Sequence, residues 1–169
     1  MNPQTPQIII DPQVHRQIGI GFSAHIFEVA GKAYKLFLRG PDVPPRHTEE
    51  GRRLRYQAQC EAYKLASSDL LLKDHIATFY GSCLVQDVLS DAGVSIVETY
   101  LLDCCYALEL LSGTEMKLTA PEIRDNRKYL QDAEMRFAEL GIDVLDATVF
   151  NFHDPNGFKF VDFEIRNWY

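Results

Sequence analysis

The chain has 169 residues, 46% hydrophobic and 24% charged, with 24 acidic side chains against 17 basic ones and a net charge of −7. That size fits one globular domain, typically about 150 residues. The composition excludes intrinsic disorder, collagen-like repeats and a disulfide-framework miniprotein, the length excludes a large multidomain enzyme, and the acidic balance makes nucleic acid a poor default partner.

Met1 to Gln7 is polar and proline-bearing, and Ile8-Ile9-Ile10 is too short for the core of a signal peptide. No stretch reaches the ~18 apolar residues of a membrane span. The expected working place is therefore cytoplasmic, although hydropathy does not reveal a non-classical delivery or secretion signal. Gln13 to Phe22, His25 to Ala30 and Lys32 to Leu38 are rich in β-branched and aromatic residues, so three strands are expected, with a tight turn at Ala30-Gly31. Gly40-Pro41-Asp42-Val43-Pro44-Pro45 reads as a loop. A helix is expected from Arg46 to Ala66, because Leu54, Ala58, Ala62 and Leu65 share one helical face. Arg46, Arg52, Arg53 and Arg55 form a basic cluster near its start, either a solvated face or a contact for an acidic partner or phosphosite.

Two further strands are expected, Ile76 to Gln86 and Val94 to Leu102. Pro121 opens a second helix behind Thr119 as cap, with Glu122 in the capping-box position. Ile123, Tyr129, Leu130, Ala133, Phe137 and Leu140 make its apolar face, and Gly141 ends it. Two short strands flank Asp154-Pro155-Asn156-Gly157, a tight-turn sequence. Trp168 and Tyr169 at the terminus either pack on the core or meet another chain. The fold class is α+β, with a strand-rich part over residues 1–103 and a mainly helical part over 104–169.

Cys60, Cys83, Cys104 and Cys105 contain no C-x-x-C pair, and His15, His25, His47, His75 and His153 are scattered. Reduced, partly buried thiols are expected rather than zinc ligands.

Three local patterns bear on chemistry. Gly19 and Gly21 lie two apart between strands. Glycine lets backbone N–H groups approach a ligand closely, and such turns hold phosphate oxygens, but an ordinary hairpin turn has the same sequence. A strand rather than a helix follows, which argues against a dinucleotide-binding fingerprint. Lys35 sits inside an apolar strand with Ala33 and Phe37 on its own face. It is either an edge-strand lysine facing water or a point charge for phosphate. Glu61, mid-helix, either belongs to a solvated face or reaches back to Lys35. Asp146 and Asn151 lie five apart, and Asp162 follows the apolar run Phe158-Lys159-Phe160-Val161. Asn and Asp oxygens are hard ligands suited to Mg²⁺.

In this order the patterns resemble the protein-kinase-like superfamily, over roughly residues 14 to 164. The glycine loop matches Gly19 and Gly21, with Ala24 in place of a third glycine and Ile26 where valine is usual. The strand lysine matches Lys35. The helix glutamate matches Glu61, with Glu49 and Glu50 competing. Ile76-Ala77-Thr78-Phe79-Tyr80-Gly81 looks like the fourth strand, and Ile96 to Leu102 like the strand that leads to the hinge. Asp146 and Asn151 match the catalytic loop, and Asp162-Phe163-Glu164 matches the Asp-Phe-Gly motif.

The resemblance implies a minimal, ATP- and Mg²⁺-dependent phosphotransferase with a reduced C-terminal lobe. Gly19, Ile20, Gly21, Phe22, Ser23 and Ala24 would cover the phosphates. Ile26, Ala33, Glu98, Tyr100 and Leu101 would contact the nucleotide. Lys35, steadied by Glu61, would hold the α/β-phosphates, Asn151 and Asp162 would bind magnesium, and Asp146 would serve the acceptor hydroxyl, that of a protein substrate or a small molecule.

Val144 and Leu145 replace the usual His-Arg, which implies no phosphorylated-loop switch, and Glu164 replaces the motif glycine. The chain ends 169 − 162 = 7 residues after Asp162, so no peptide-docking platform is expected. A non-catalytic nucleotide-binding or interaction module is the alternative, and a kinase of a small molecule or RNA-linked substrate a further one. The reduced lobe would leave apolar surface for a homodimer.

Overall fold

The computed structural model describes residues 7–40 and 48–166, apart from the side chains of 124–126. The expected Pro41–Pro45 loop, Arg46, and the terminal Trp168 and Tyr169 lie outside the described residues. The fold is α+β, with two compact units. Of the described residues, the first comprises those up to Tyr56 together with Tyr80–Leu110, and the second comprises Gln57–Phe79 together with those from Leu111 to Arg166.

The first unit is built on a six-stranded sheet. Its strands are β1 (Gln7–Ile10), β2 (Arg16–Ile20), β3 (Ala24–Val29), β4 (Lys32–Leu38), β5 (Phe79–Val88) and β6 (Tyr100–Glu109), in the spatial order β1-β5-β6-β4-β3-β2. β3 and β4 match the expected strands to within a residue. Ala30 and Gly31 join them at φ +50° and +74°, a two-residue turn whose twist suits a hairpin. β2 is shorter than the expected Gln13–Phe22 because Asp11 turns the chain first. Its carboxylate accepts the Gln13 N–H, and its carbonyl accepts those of Val14 and His15.

β1 was not expected as a strand. It runs parallel to β5, and fully buried Ile10 joins Val85 and Val88 in the core. One face of the sheet carries that core, with Phe27, Val29, Tyr34, Leu36, Cys83, Tyr100, Cys105 and Ala107.

The strand expected over Val94–Leu102 is displaced. Val97–Thr99 is a 3-10 turn, and β6 starts at Tyr100 and continues to Glu109. Asp103 does not break the strand, because Arg53 meets its carboxylate at 2.6 Å. The chain therefore leaves the sheet after Glu109.

The first helix, α1, runs Glu49–Ser68 and has residues in both units. Thr48 caps it by accepting the Gly51 N–H, and Glu49 and Glu50 sit in the first turn, where the helix dipole favours acids. In the first unit, Tyr56 stacks on Tyr106 and meets Phe37 edge-on. Arg53 is occupied by Glu49 and Asp103, and Arg52 is buried with an N–H on the Leu38 carbonyl. Those two members of the basic cluster thus hold the fold together.

In the second unit, α1 presents Ala58, Gln59, Ala62, Tyr63 and Ala66 inward. Leu65, expected on the inner face, is exposed. Ala58 and Ala62 are buried as expected, and the stripe continues through Tyr63 and Ala66 rather than through the leucine. The unit also contains β7 (Glu115–Lys117), α2 (Arg127–Glu139), β8 (Ile142–Asp143), β9 (Thr148–Phe150), β10 (Lys159–Val161) and β11 (Glu164–Ile165). β10-β9-β7 form one antiparallel sheet, and β11 pairs with β8.

The expected second helix begins as a 3-10 turn over Pro121–Asn126 before α2. Leu130, Ala133 and Phe137 are buried as expected, and the helix ends before Gly141. Phe137 touches Phe160 and Phe163, Phe163 touches Tyr63, and Phe158 stacks on His75, giving a continuous aromatic core. Asp69, just past α1, accepts two backbone N–H groups through one oxygen and the Arg136 guanidinium through the other. No helix among the described residues is long and apolar enough to cross a membrane.

Candidate functional site

Lys35 lies on β4, which is flanked on both sides, so the edge-strand alternative is excluded. Gly19, Ile26, Lys35 and Tyr106 form one rung across β2, β3, β4 and β6. Directly opposed residues in antiparallel strands point to one side. Ala24, Ile26, Ala33, Lys35 and Phe37 therefore share the face turned away from the Tyr34–Leu36 core. On it Ile26, Ala33 and Lys35 are half-buried, and Lys35 Nζ stands 5.7 Å from the Phe37 ring centre.

The glycine turn closes with the Gly21 N–H donating to the Ala24 carbonyl at 2.9 Å. Neither glycine has a positive φ; both are demanded by close approach. A side chain at Gly19 would meet Ile26 at 3.0 Å, and one at Gly21 would meet the Ala24 carbonyl oxygen at 3.0 Å. The missing side chain at Gly19 keeps the rung open beside Ile26. Ile20 and Phe22 at the turn are exposed, Ser23 is buried, and the Ser23 carbonyl accepts the Leu38 N–H.

Glu98, Tyr100 and Leu101 were expected as nucleotide contacts on the strand that leads to the hinge, and the observed strand begins later, at Tyr100. Glu98 lies in the turn that precedes β6, and Tyr100 and Leu101 are buried at the strand's start. The segment that follows the strand begins at Leu110. Tyr100 instead hydrogen-bonds His25, whose burial lowers its pKa.

In the second unit Glu61 is exposed and forms its ion pair with Lys64 at 3.8 Å, a partner three residues on. The inward polar residue of this stretch is Gln59, fully buried two positions earlier. Sequence reasoning passed over it because a neutral amide carries no charge signal, although its spacing of four from Tyr63 marks the shared face.

Two antiparallel ladders fix the acidic loops. Thr148 pairs with Val161, and Asp143 pairs with Glu164. Asp146 and Asp162 lie on the two short connections between these ladders. Asp146 is exposed, and its carbonyl accepts Lys117 Nζ at 2.7 Å. Asp162 is half-buried, with φ +63°.

Asn151 lies at the other end of the β9–β10 pair, one residue beyond Phe150·Lys159, while Asp162 lies one residue beyond Val161·Thr148, so four strand rises, about 13 Å, separate their levels. Its amide is turned to the 112–114 segment. Nδ2 donates to the Ser112 carbonyl at 3.4 Å, the backbone N–H donates to Thr114, and Oδ1 lies where a Gly113 side chain would stand. The hairpin register therefore does not bring Asn151 and Asp162 together as one ion's ligand pair. The spacing in sequence suggested the pair, but a register fixed by Val149 and Phe160 in the core separates them.

No protein-family profile, curated protein or solved structure gives a significant match to the chain.

Proposed function

We propose that the chain binds ATP and is a minimal phosphotransferase of the protein-kinase-like kind. The carrying observation is the rung Gly19–Ile26–Lys35–Tyr106, which sets a lysine on a central strand beside small and apolar half-exposed residues and next to a close-packed glycine turn. A nucleotide asks for an apolar seat and a fixed cation, and this face offers Ile26, Ala33 and Lys35.

Asp162 and Asp146 are hard oxygen donors of the sort that suit magnesium, which takes few carboxylates and completes its shell with water and phosphate. Asp162 would hold magnesium, which would neutralise charge on the transferring phosphates. Asp146, exposed on its loop, accepts the proton of the acceptor hydroxyl as that oxygen bonds to the γ-phosphorus and ADP departs. Such general-base help contributes about 10²–10⁴-fold. Lys35 holds the phosphate oxygens as a point charge.

A second reading, a nucleotide-binding module without transfer, draws support from Glu61 facing solvent and from Asn151 being engaged with Ser112.

Labelled ATP with Mg²⁺, added to the full chain alone and with a cell lysate, separates the readings. Transfer abolished by Asp162→Ala supports the enzyme. ATP-dependent thermal stabilisation without transfer supports the binding module, and neither effect removes both.

A further inference from the structure

We propose that Lys117 is the positioning residue of Asp146, its ammonium holding the aspartate's backbone carbonyl so that the carboxylate is presented free to solvent. The inference rests on the phosphotransfer reading only for what that carboxylate does.

Asp146 sits in the short connection between β8 and β9, and that connection is tied down bond by bond. The Asp143 carboxylate accepts the Leu145 N–H at 2.8 Å. The Val144 carbonyl accepts the Ala147 N–H at 2.9 Å. β7 closes the loop from the other side. Lys117 pairs with Thr148, and the Leu118 N–H donates to the Ala147 carbonyl at 2.9 Å. One residue earlier on each segment, Lys117 Nζ donates to the Asp146 carbonyl at 2.7 Å. Ala147 and Leu118 are buried, whereas Asp146 and Lys117 are exposed.

A lysine beside an aspartate ordinarily pairs with the carboxylate. Here the ammonium takes the backbone carbonyl, and the Asp146 carboxylate forms no hydrogen bond or ion pair among the described residues. The difference is chemical. An ion pair would occupy the oxygens that must accept a proton, whereas a bond to the carbonyl fixes the backbone and leaves those oxygens open. A charged donor at this distance also makes a stronger bond than a neutral one. Without it Ala147 keeps its anchors, but the Asp146 peptide can turn. A displacement of about 1 Å at a reacting group can cost about a hundredfold in rate, so a bond that adds little to stability still matters to transfer.

The test is Lys117→Met in the full chain, with Lys117→Arg as the conservative variant. Glu115→Ala, two residues earlier on the same exposed face of β7, is the control. The readouts are the carbonyl-carbon NMR shift of Asp146, amide hydrogen exchange at Ala147, and kcat against ATP KM. For Lys117→Met the expected result is a Tm near wild type, a moved Asp146 carbonyl shift, and Ala147 exchange faster by about three- to tenfold. kcat falls about 10- to 100-fold with ATP KM unchanged, and Lys117→Arg restores most of it. Glu115→Ala leaves all of these near wild type. An Asp146 carbonyl shift that stays put in Lys117→Met overturns the proposal. So does an equal effect from Glu115→Ala, or an unchanged kcat in a chain that transfers phosphate. A moved shift and faster exchange in a chain whose wild type transfers no phosphate uphold the hold on Asp146 and remove the phosphotransfer reading instead.

Discussion

Gly113→Ala probes the one contact that decides what Asn151 does. Gly113 has φ +109°, a conformation that L side chains rarely adopt, so alanine there costs about 1–3 kcal/mol in backbone strain. Its Cβ would stand 2.1 Å from Asn151 Oδ1, well inside contact distance. The asparagine must move and give up its long bond to the Ser112 carbonyl, a further loss of about 0.5–1 kcal/mol. The total is about 1.5–4 kcal/mol, most of it backbone strain. Urea unfolding of the single and double mutants measures it. In an Asn151→Ala background the clash is gone, and Gly113→Ala should cost about 1 kcal/mol less. Equal costs in the two backgrounds, or a Gly113→Ala chain as stable as wild type, would refute the latch between Asn151 and the 112–114 segment.

Other consequences follow from the same geometry. The Arg136 hydrogen bond holds the Asp69 carboxyl below its ordinary value of 3.8. The folded state therefore binds this proton less readily than the unfolded chain. The resulting stability is present above that value and lost as pH falls through the lower folded one. Asp69→Asn should lower the urea midpoint at neutral pH and flatten its fall in acid; an unchanged acid slope would contradict the pairing. Glu61→Ala should change stability by less than about 0.5 kcal/mol, as expected for an exposed position. Gln59→Ala should cost about 1–3 kcal/mol, because it empties a fully buried site. The reverse order in denaturant melts would reject the observed face of α1.

The sequence carried local pattern well and long-range register poorly. β3, β4 and their turn were legible because alternation and Ala30-Gly31 are local signals. α2 was legible through its apolar face and Gly141. β1 was not, since Ile8–Ile10 becomes a strand only by pairing with Leu84–Val88, far along the chain. β6 was misjudged because Asp103 looks like a terminator until Arg53, fifty residues earlier, neutralises it. The candidate site divides in the same way. Ala33, Lys35 and Phe37 were legible as one face because strand periodicity is fixed at two, whereas the place of Ile26 beside Lys35 depends on the β3–β4 register. Glu61 was not, since one helical position turns a side chain by about 100° and the buried stripe was set by Tyr63 and the alanines. The Asn151 and Asp162 pairing failed because their separation depends on the β9–β10 register rather than on spacing.

The most direct test of the central claim is calorimetric titration of ATP with Mg²⁺ into the wild-type chain and into Lys35→Met. The rung on the sheet predicts saturable binding that weakens about 10- to 100-fold when the lysine charge is removed. Equal affinity in the two proteins, or no saturable binding by the wild type, would contradict it.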